Sequence, residues 1–233
     1  KARTFELGYK GSIKDESIFI DAGYYLTFYK DFIGYNIGLD ADFDPVTRFP
    51  VGGIDAYRVA ANATSTVTTQ GLSVSLNYYY KKLAYGVNYS YNVLNKKGTD
   101  DPIIPAFNTP KNKFNLSLTG SRIKLPKIKG ENFGFGINYK WIEGFVFEGS
   151  PQFTGNVPTY DMLDAQINYT LPKWNTTFKL GASNILGLMP LFDGEGDHTR
   201  SVFNNTNFQV YGGPYVGRLA YFSIVTDINT RKK

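Results

Sequence analysis

The sequence predicts an all-β chain: a segment of a transmembrane antiparallel β-barrel, with short turns at one end and long loops at the other. Three observations carry that expectation. Bulky and small hydrophilic residues alternate with a period of two along about nine segments. The links between segments are alternately short and long. Acidic residues gather in the long links and basic ones in the short links.

Strict alternation marks a strand whose two faces meet different surroundings. The first segment, Arg3 to Lys10, sets Phe5, Leu7 and Tyr9 on one face. The second runs from Ile18 to about Ile33, with Ile20, Ala22, Tyr24, Leu26 and Phe28 opposite Asp21, Gly23, Tyr25, Thr27 and Tyr29. The third, near Thr68 to Tyr80, sets Leu72, Val74 and Leu76 against Ser73, Ser75 and Asn77. The fourth alternates most cleanly: Leu83, Tyr85, Val87, Tyr89, Tyr91 and Val93 face away from Gly86, Asn88, Ser90 and Asn92. The fifth opposes Phe114, Leu116 and Leu118 to Asn115, Ser117 and Thr119. In the sixth, Phe133, Phe135, Ile137, Tyr139 and Trp141 alternate with Gly134, Gly136, Asn138 and Lys140. The seventh sets Leu163, Ala165, Ile167 and Tyr169 against Asp164, Gln166 and Asn168. The eighth sets Phe178, Leu180 and Ala182 against Lys179, Gly181 and Ser183. The ninth, about Gly217 to Asp227, alternates less well, because Tyr221, Phe222, Ile224 and Val225 fall on both faces.

In a membrane barrel the bulky rows meet lipid and the small polar rows line the lumen. Leu76, Val87, Leu116, Phe135, Ile137, Ile167 and Leu180 are therefore expected against lipid. Asn88, Asn115, Asn138, Asp164, Gln166, Asn168 and Lys179 are expected against the lumen. A soluble β-sandwich with a carbohydrate-binding role would alternate in the same way, so the links decide. Short links near Gly11–Ser17, Lys81–Lys82 and Pro172–Asn175 interleave with long ones near 34–67, 94–111, 146–160 and 187–216. The link SRIKLPKIKGEN is of middling length. Short periplasmic turns and long extracellular loops produce this rhythm.

Composition removes other classes. The chain has no cysteine, so thiolate metal sites and disulfides are excluded, and its single histidine is His198. Mean hydropathy is negative, and no apolar run reaches the length of a transmembrane helix. The N-terminus KARTFELGYKG is not a signal peptide, which implies a mature or truncated chain. The net charge of +5 comes without a basic stripe interleaved with stacking aromatics, so nucleic acid is a poor fit.

Candidate chemistry is sparse. His198 reads as an exposed loop residue and not as a catalytic base, and the chain is not expected to be an enzyme. The acidic clusters Asp40, Asp42, Asp44 and Asp193, Glu195, Asp197 resemble oxygen-rich Ca²⁺ sites but miss the EF-hand spacing; solubilising loop charge is the plainer reading. Phe43, Phe49, Phe107, Phe153, Phe192 and Phe203 lie in loops, placed to stack on a substrate or to pack on one another.

The segments FELGYKG, FNTPKNKFNLSLTG, TYDMLDAQINYTLP, FKLGASNILG and QVYGGPYVGRLAYFSI together resemble the C-terminal barrel region of TonB-dependent outer-membrane receptors, and within them the SusC-like group of Bacteroidetes. The resemblance spans almost the whole chain, residues 1–233 being one barrel part. It implies about nine strands of a 22-stranded barrel in the Gram-negative outer membrane, with the plug and the remaining strands supplied outside this segment. It also implies import of large nutrients (glycan, peptide or siderophore), energised through TonB and lidded by a SusD-like surface lipoprotein. No cofactor is implied. Two departures stand out. Nine strands leave two edges open, which lipid does not tolerate, and the terminal aromatic usual in the family is replaced by TDINTRKK. A non-transporting barrel acting as a scaffold in an assembly or secretion complex is the alternative.

Overall fold

The computed structural model describes residues 1–15, 17–96, 101, 103, 105, 107–127, 130, 132–148, 155–157, 159–187 and 218–227. Its strands are β1 (Ala2–Ile13), β2 (Ile18–Tyr29), β3 (Ile33–Asp40), β4 (Asp55–Asn62), β5 (Val67–Tyr80), β6 (Leu83–Lys96), β7 (Asn112–Ile123), β8 (Phe133–Ile142), β9 (Phe145–Phe147), β10 (Gly155–Val157), β11 (Tyr160–Leu171), β12 (Thr176–Ser183) and β13 (Leu219–Thr226). Nine of them form one sheet in the order β1-β2-β5-β6-β7-β8-β11-β12-β13. Every neighbour in it is antiparallel, so the sheet is a meander with β1 and β13 at its edges. The pairs β3–β4 and β9–β10 stand apart as small hairpins.

The nine alternating segments correspond to the nine long strands, with three differences. The second stops at Tyr29 and not at Ile33, because Asp31 takes a left-handed conformation (φ 56°) and turns the chain into β3. The long links at 34–67 and 146–160 each contain a hairpin. β7 runs on to Ile123 through a bulge after Gly120, where Arg122 has φ 54°. A bulge absorbs an extra residue without ending a strand, and so part of SRIKLPKIKGEN belongs to the sheet.

One end of the sheet carries tight connections. Lys14 and Asp15 turn β1 into β2 with φ of 55° and 50°, and Ser17 Oγ donates to the Lys14 carbonyl at 2.6 Å. Lys81 (φ 53°) turns β5 into β6. Between β11 and β12 a 3-10 turn, Pro172–Trp174, ends on left-handed Asn175; proline suits its first position because that N–H has no partner to lose.

Register separates the faces. Ile20, Leu76, Val87, Leu116 and Tyr139 lie side by side across five strands. One residue along, Asp21, Ser75, Asn88, Asn115 and Lys140 form the next row, on the opposite face. On the bulky face no second sheet of the described residues is packed. Leu76, Val87, Leu116, Ile137, Ile167 and Leu180 stay 37–53% exposed. A contiguous apolar surface of this extent is foreign to a soluble monomer, which counts against the sandwich.

Aromatics mark both borders of that face. Near the tight turns Tyr78 stacks on Tyr80 and Tyr85 at 6.2 and 5.9 Å, with the Lys14 and Lys81 ammonium groups over Tyr78 and Tyr80. Near the loops Phe114 stacks on Trp141 at 5.3 Å. There Tyr24 donates to Gln70 at 3.0 Å, Tyr89 to Asn112 at 2.6 Å and Tyr139 to Asp161 at 3.1 Å. Tyr80 lies eight residues along β5 from Leu72, which pairs with Tyr24 and Tyr91; that is about 27 Å of strand.

Several glycines face an aromatic directly across the ladder: Gly71 opposite Tyr25, Gly120 opposite Phe135 and Gly181 opposite Tyr221. In each pair the ring lies where a Cβ on the glycine would stand. Covering strand glycines with a cross-strand ring restores the packing a missing side chain forfeits.

Candidate functional site

The polar face has a floor and a roof. The floor is made of amides, hydroxyls and small residues held by the ladder. Asn88 sits between Ser75 and Asn115, and Asn138 between Ser117 and Asp164. Gln166 lies between Gly136 and Gly181, and Asn168 beside Lys179. Tyr221 Oη donates to Gln166 Oε1 at 3.2 Å, Tyr25 Oη to Asn92 Oδ1 at 3.0 Å, and the Asn184 N–H to Asp164 Oδ1 at 2.8 Å. Lys10 and Asp21 form an exposed ion pair at 3.6 Å, worth about 0–1 kcal/mol. All seven residues expected on this face share it by register.

The roof was not expected from the sequence. At the loop end, two apolar clusters lie on the polar face. In one, Ile142 and Tyr160, which pair with each other, are buried against Phe147 and Val157 of the β9–β10 hairpin. In the other, Val67 and Ala63 are buried with Ile103 of the β6–β7 loop, flanked by Tyr29 and Leu94. Ile142, Tyr160, Val67, Tyr29 and Leu94 have the strand parity of the polar residues, so Ile103 and the β9–β10 hairpin pack on the loop end of that face and not on the bulky one. The signal was present in the sequence as apolar residues breaking into polar positions at strand ends.

Hydrogen bonds tie the roof together. Asp101, 7% exposed, accepts from the Ser65 N–H at 2.9 Å, Ser65 Oγ at 2.8 Å and the Ile103 N–H at 3.0 Å. Asn108 joins the same loop to the end of β9: its Oδ1 accepts from the Glu148 N–H at 2.6 Å, and its Nδ2 donates to the Glu148 carbonyl at 3.0 Å. Glu143 accepts from the Asn112 N–H and Nδ2 at 2.9 and 2.6 Å. Removing the Asp101 carboxylate leaves donors without their acceptor, at a cost of about 1 kcal/mol or more, roughly a five-fold rise in the open fraction of the loop. Asp101→Ala is expected to speed protease cleavage within residues 97–107 by that factor on intact cells while leaving the barrel uncut. Unchanged cleavage would show that Asp101 does not hold the loop.

The loop candidates separate. Phe43 and Phe49 lie at the tip of the β3–β4 hairpin, 61% and 73% exposed, and Phe107 is half-buried at the far side of the β6–β7 loop; the three do not form one aromatic platform. Asp40, Asp42 and Asp44 do not converge either: among the described residues no three acidic or histidine side chains meet in metal-binding geometry. Asp44 has another task. Its Oδ1 accepts from the Val46 and Thr47 N–H groups at 2.8 and 2.7 Å, an Asx-type turn, and the Thr47 and Val46 N–H groups hold its carboxyl below the usual range. Asp40 pairs with Asp55 at the hairpin end, and the Asp42 carbonyl accepts from the Val51 N–H at 2.7 Å. Phe153, Phe192, Phe203, Asp193, Glu195, Asp197 and His198 lie outside the described residues.

Residues 1–185 match the family described as TonB dependent receptor-like, beta-barrel. Solved structures agree in fold. An unliganded ferric citrate transporter, FecA, is 17% identical with a TM-score of 0.57, covering 97% of this chain and 31% of its own. The copper transporter OprC is 12% identical with a TM-score of 0.57, covering 80% and 25%. The ferripyoverdine receptor of the Pseudomonas aeruginosa outer membrane, bound to ferripyoverdine, is 10% identical with a TM-score of 0.52, covering 80% and 23%. No curated protein matches. The chain belongs to the TonB-dependent receptor β-barrel family, and its place is the Gram-negative outer membrane. It spans between about a quarter and a third of the length of these similar structures.

Proposed function

We propose that this chain is the wall and outer mouth of a TonB-dependent importer of large nutrients, in which the bulky face meets lipid and the polar face lines the translocation path. The observation that carries the reading is the roofed polar face: a hydrophilic wall whose extracellular end is narrowed from the inside by two tied loops. A scaffold barrel has no need of a wet wall beneath a narrowed mouth. The similar structures are described as transporters or receptors for ferric citrate, copper and ferripyoverdine, which supports import as the class. The sequence resemblance points within it to the SusC-like group of Bacteroidetes. The reading therefore includes a plug and the remaining strands from the same protein, energy through TonB, a SusD-like surface lipoprotein over the loops, and glycans or peptides beside siderophores as cargo.

The test uses the whole protein in its native outer membrane. Deleting the gene is expected to abolish growth on one nutrient class, disabling TonB is expected to reproduce the defect, and affinity purification is expected to bring down a surface lipoprotein. Normal growth on every glycan, peptide and iron source, with stable secretion or assembly subunits co-purifying, would replace import by the scaffold role.

A further inference from the structure

Two lysines stand on the polar face without an ion pair among the described residues. Lys113 is the second residue of β7, and Lys140 lies two residues before the end of β8. Lys113 pairs with Ile142 and Lys140 with Asn115, which makes the lysines diagonal neighbours on one face, about 7–8 Å apart at the backbone. Among the described residues neither forms an ion pair, whereas Lys10 on the same face meets Asp21. By register the nearest carboxylate on this face is Asp164, diagonal to Lys140; its Oδ1 accepts from the Asn184 N–H, it forms no ion pair with Lys140, and it is a further strand away from Lys113. Backbones this close let both ammonium groups reach one anion placed between them.

The surroundings are those of a receiving site. Ser75, Ser90, Asn88 and Asn115 line the same concavity as the two lysines, of about 450 Å³. Ser90, opposite Lys113, has a buried Oγ with no hydrogen-bond partner. Leaving a buried hydroxyl unmatched is costly, and a turn about the Ser90 χ1 bond toward the concavity lets it donate to an acceptor there. Lysine offers only donors, and serine and asparagine offer donors as well. Ile142, opposite Lys113, belongs to the apolar roof, so the concavity lies directly under the mouth.

We propose that Lys113, Lys140, Ser90, Asn88 and Asn115 form an oxyanion site on the lumen wall, receiving a carboxylate or phosphate group. This rests on the import reading and deepens it: the cargo is anionic. The same chemistry has a second source, an acidic side chain of the protein's own plug, and the experiment separates the two.

Full-length protein in detergent is titrated calorimetrically with citrate, beside Lys113→Gln, Lys140→Gln and Ser90→Ala, each checked for the heat-resistant barrel form. If the anion comes with the cargo, citrate binds, raised salt weakens it, each lysine variant lowers affinity roughly ten-fold, and Ser90→Ala lowers it less. If the anion is the plug's, citrate does not bind, and the double lysine variant admits a large antibiotic that the wild type excludes. Citrate binding unaltered in all three variants, or no binding together with no leak, overturns the site. Nutrient uptake that fails while citrate binding persists would overturn import and leave the site standing.

Discussion

Ile137→Arg is expected to destabilise the barrel by about 2–4 kcal/mol, the cost of an arginine near the bilayer midplane on the lipid face, whereas Asn138→Arg is expected to change stability by less than about 1 kcal/mol. The two positions are adjacent on β8 and point to opposite faces. Ile137 sits midway between the aromatic borders of its own strand, Phe133 and Phe135 on one side and Tyr139 and Trp141 on the other. Its register neighbours are Leu118 and Ala165, neither of which can pair with a guanidinium. From Ile137 to Trp141 is about 13 Å of strand, farther than an arginine reaches to snorkel into the headgroups. Asn138, in contrast, lies directly opposite Asp164, so an arginine there gains a carboxylate and keeps its water.

The measurement is the denaturant midpoint of the full-length protein, with the heat-resistant fraction on a gel as a second readout. A loss confined to Ile137→Arg assigns the faces. Equal tolerance at both positions would remove the lipid assignment, and with it the lumen on which the import reading stands.

The sheet itself was legible because each long strand separates two unlike surroundings, and that separation writes a period of two into the residues. β6 shows it best: Leu83 to Val93 alternates without a break, and the structure keeps every one of those residues on its expected face. The hairpins were hidden for other reasons. β3 does alternate, Ile33, Tyr35, Ile37 and Leu39 against Gly34, Asn36, Gly38 and Asp40, but it pairs only with β4 and not with the large sheet, and its first residue reads as the end of the segment before it, so the rest passes for loop. β9 and β10 have three residues each, too few to show any period. Of the candidate site, the polar residues could be read strand by strand, but not their neighbours across the ladder. Lys140 was visible on the polar side of its segment. Its proximity to Lys113 depends on the β7–β8 register, which is offset by the bulge after Gly120 and is not written in either strand alone. The inward fold of the loops depended on Val67, Leu94 and Ile142, three apolar residues at polar positions, which look like noise until the loops that cover them are in place.

Gly71→Ala is expected to cost about 1–3 kcal/mol, the usual penalty for forcing atoms into a filled space, although alanine elsewhere in a strand interior is favoured over glycine by roughly 0.5–1 kcal/mol. Gly71 lies between Tyr25 and Asn92 in the ladder, and the Tyr25 phenol crosses over it to donate to Asn92 Oδ1 at 3.0 Å. A Cβ on Gly71 would press into the Tyr25 ring and would lie 2.7 Å from Asn92 Oδ1 and 2.8 Å from the Tyr91 carbonyl oxygen. The ring can swing aside at the loss of its hydrogen bond, worth about 0.5–1.5 kcal/mol, but the Tyr91 carbonyl belongs to the backbone of β6 and can yield only by moving the strand. Gly136→Ala is the matched control. Gly136 also lies on the polar face of a central strand, yet its added Cβ would come no nearer than 3.4 Å to anything, and that neighbour is the flexible end of Gln166. Thermal or denaturant midpoints of the two variants are therefore expected to diverge, with Gly136→Ala at or above wild type. Tyr25→Ala combined with Gly71→Ala is expected to recover only part of the loss, because the Tyr91 carbonyl remains in the way; full recovery would show that the ring alone excludes a side chain at position 71, and no loss in Gly71→Ala would show that β5 and β6 are not held together as closely as their register implies.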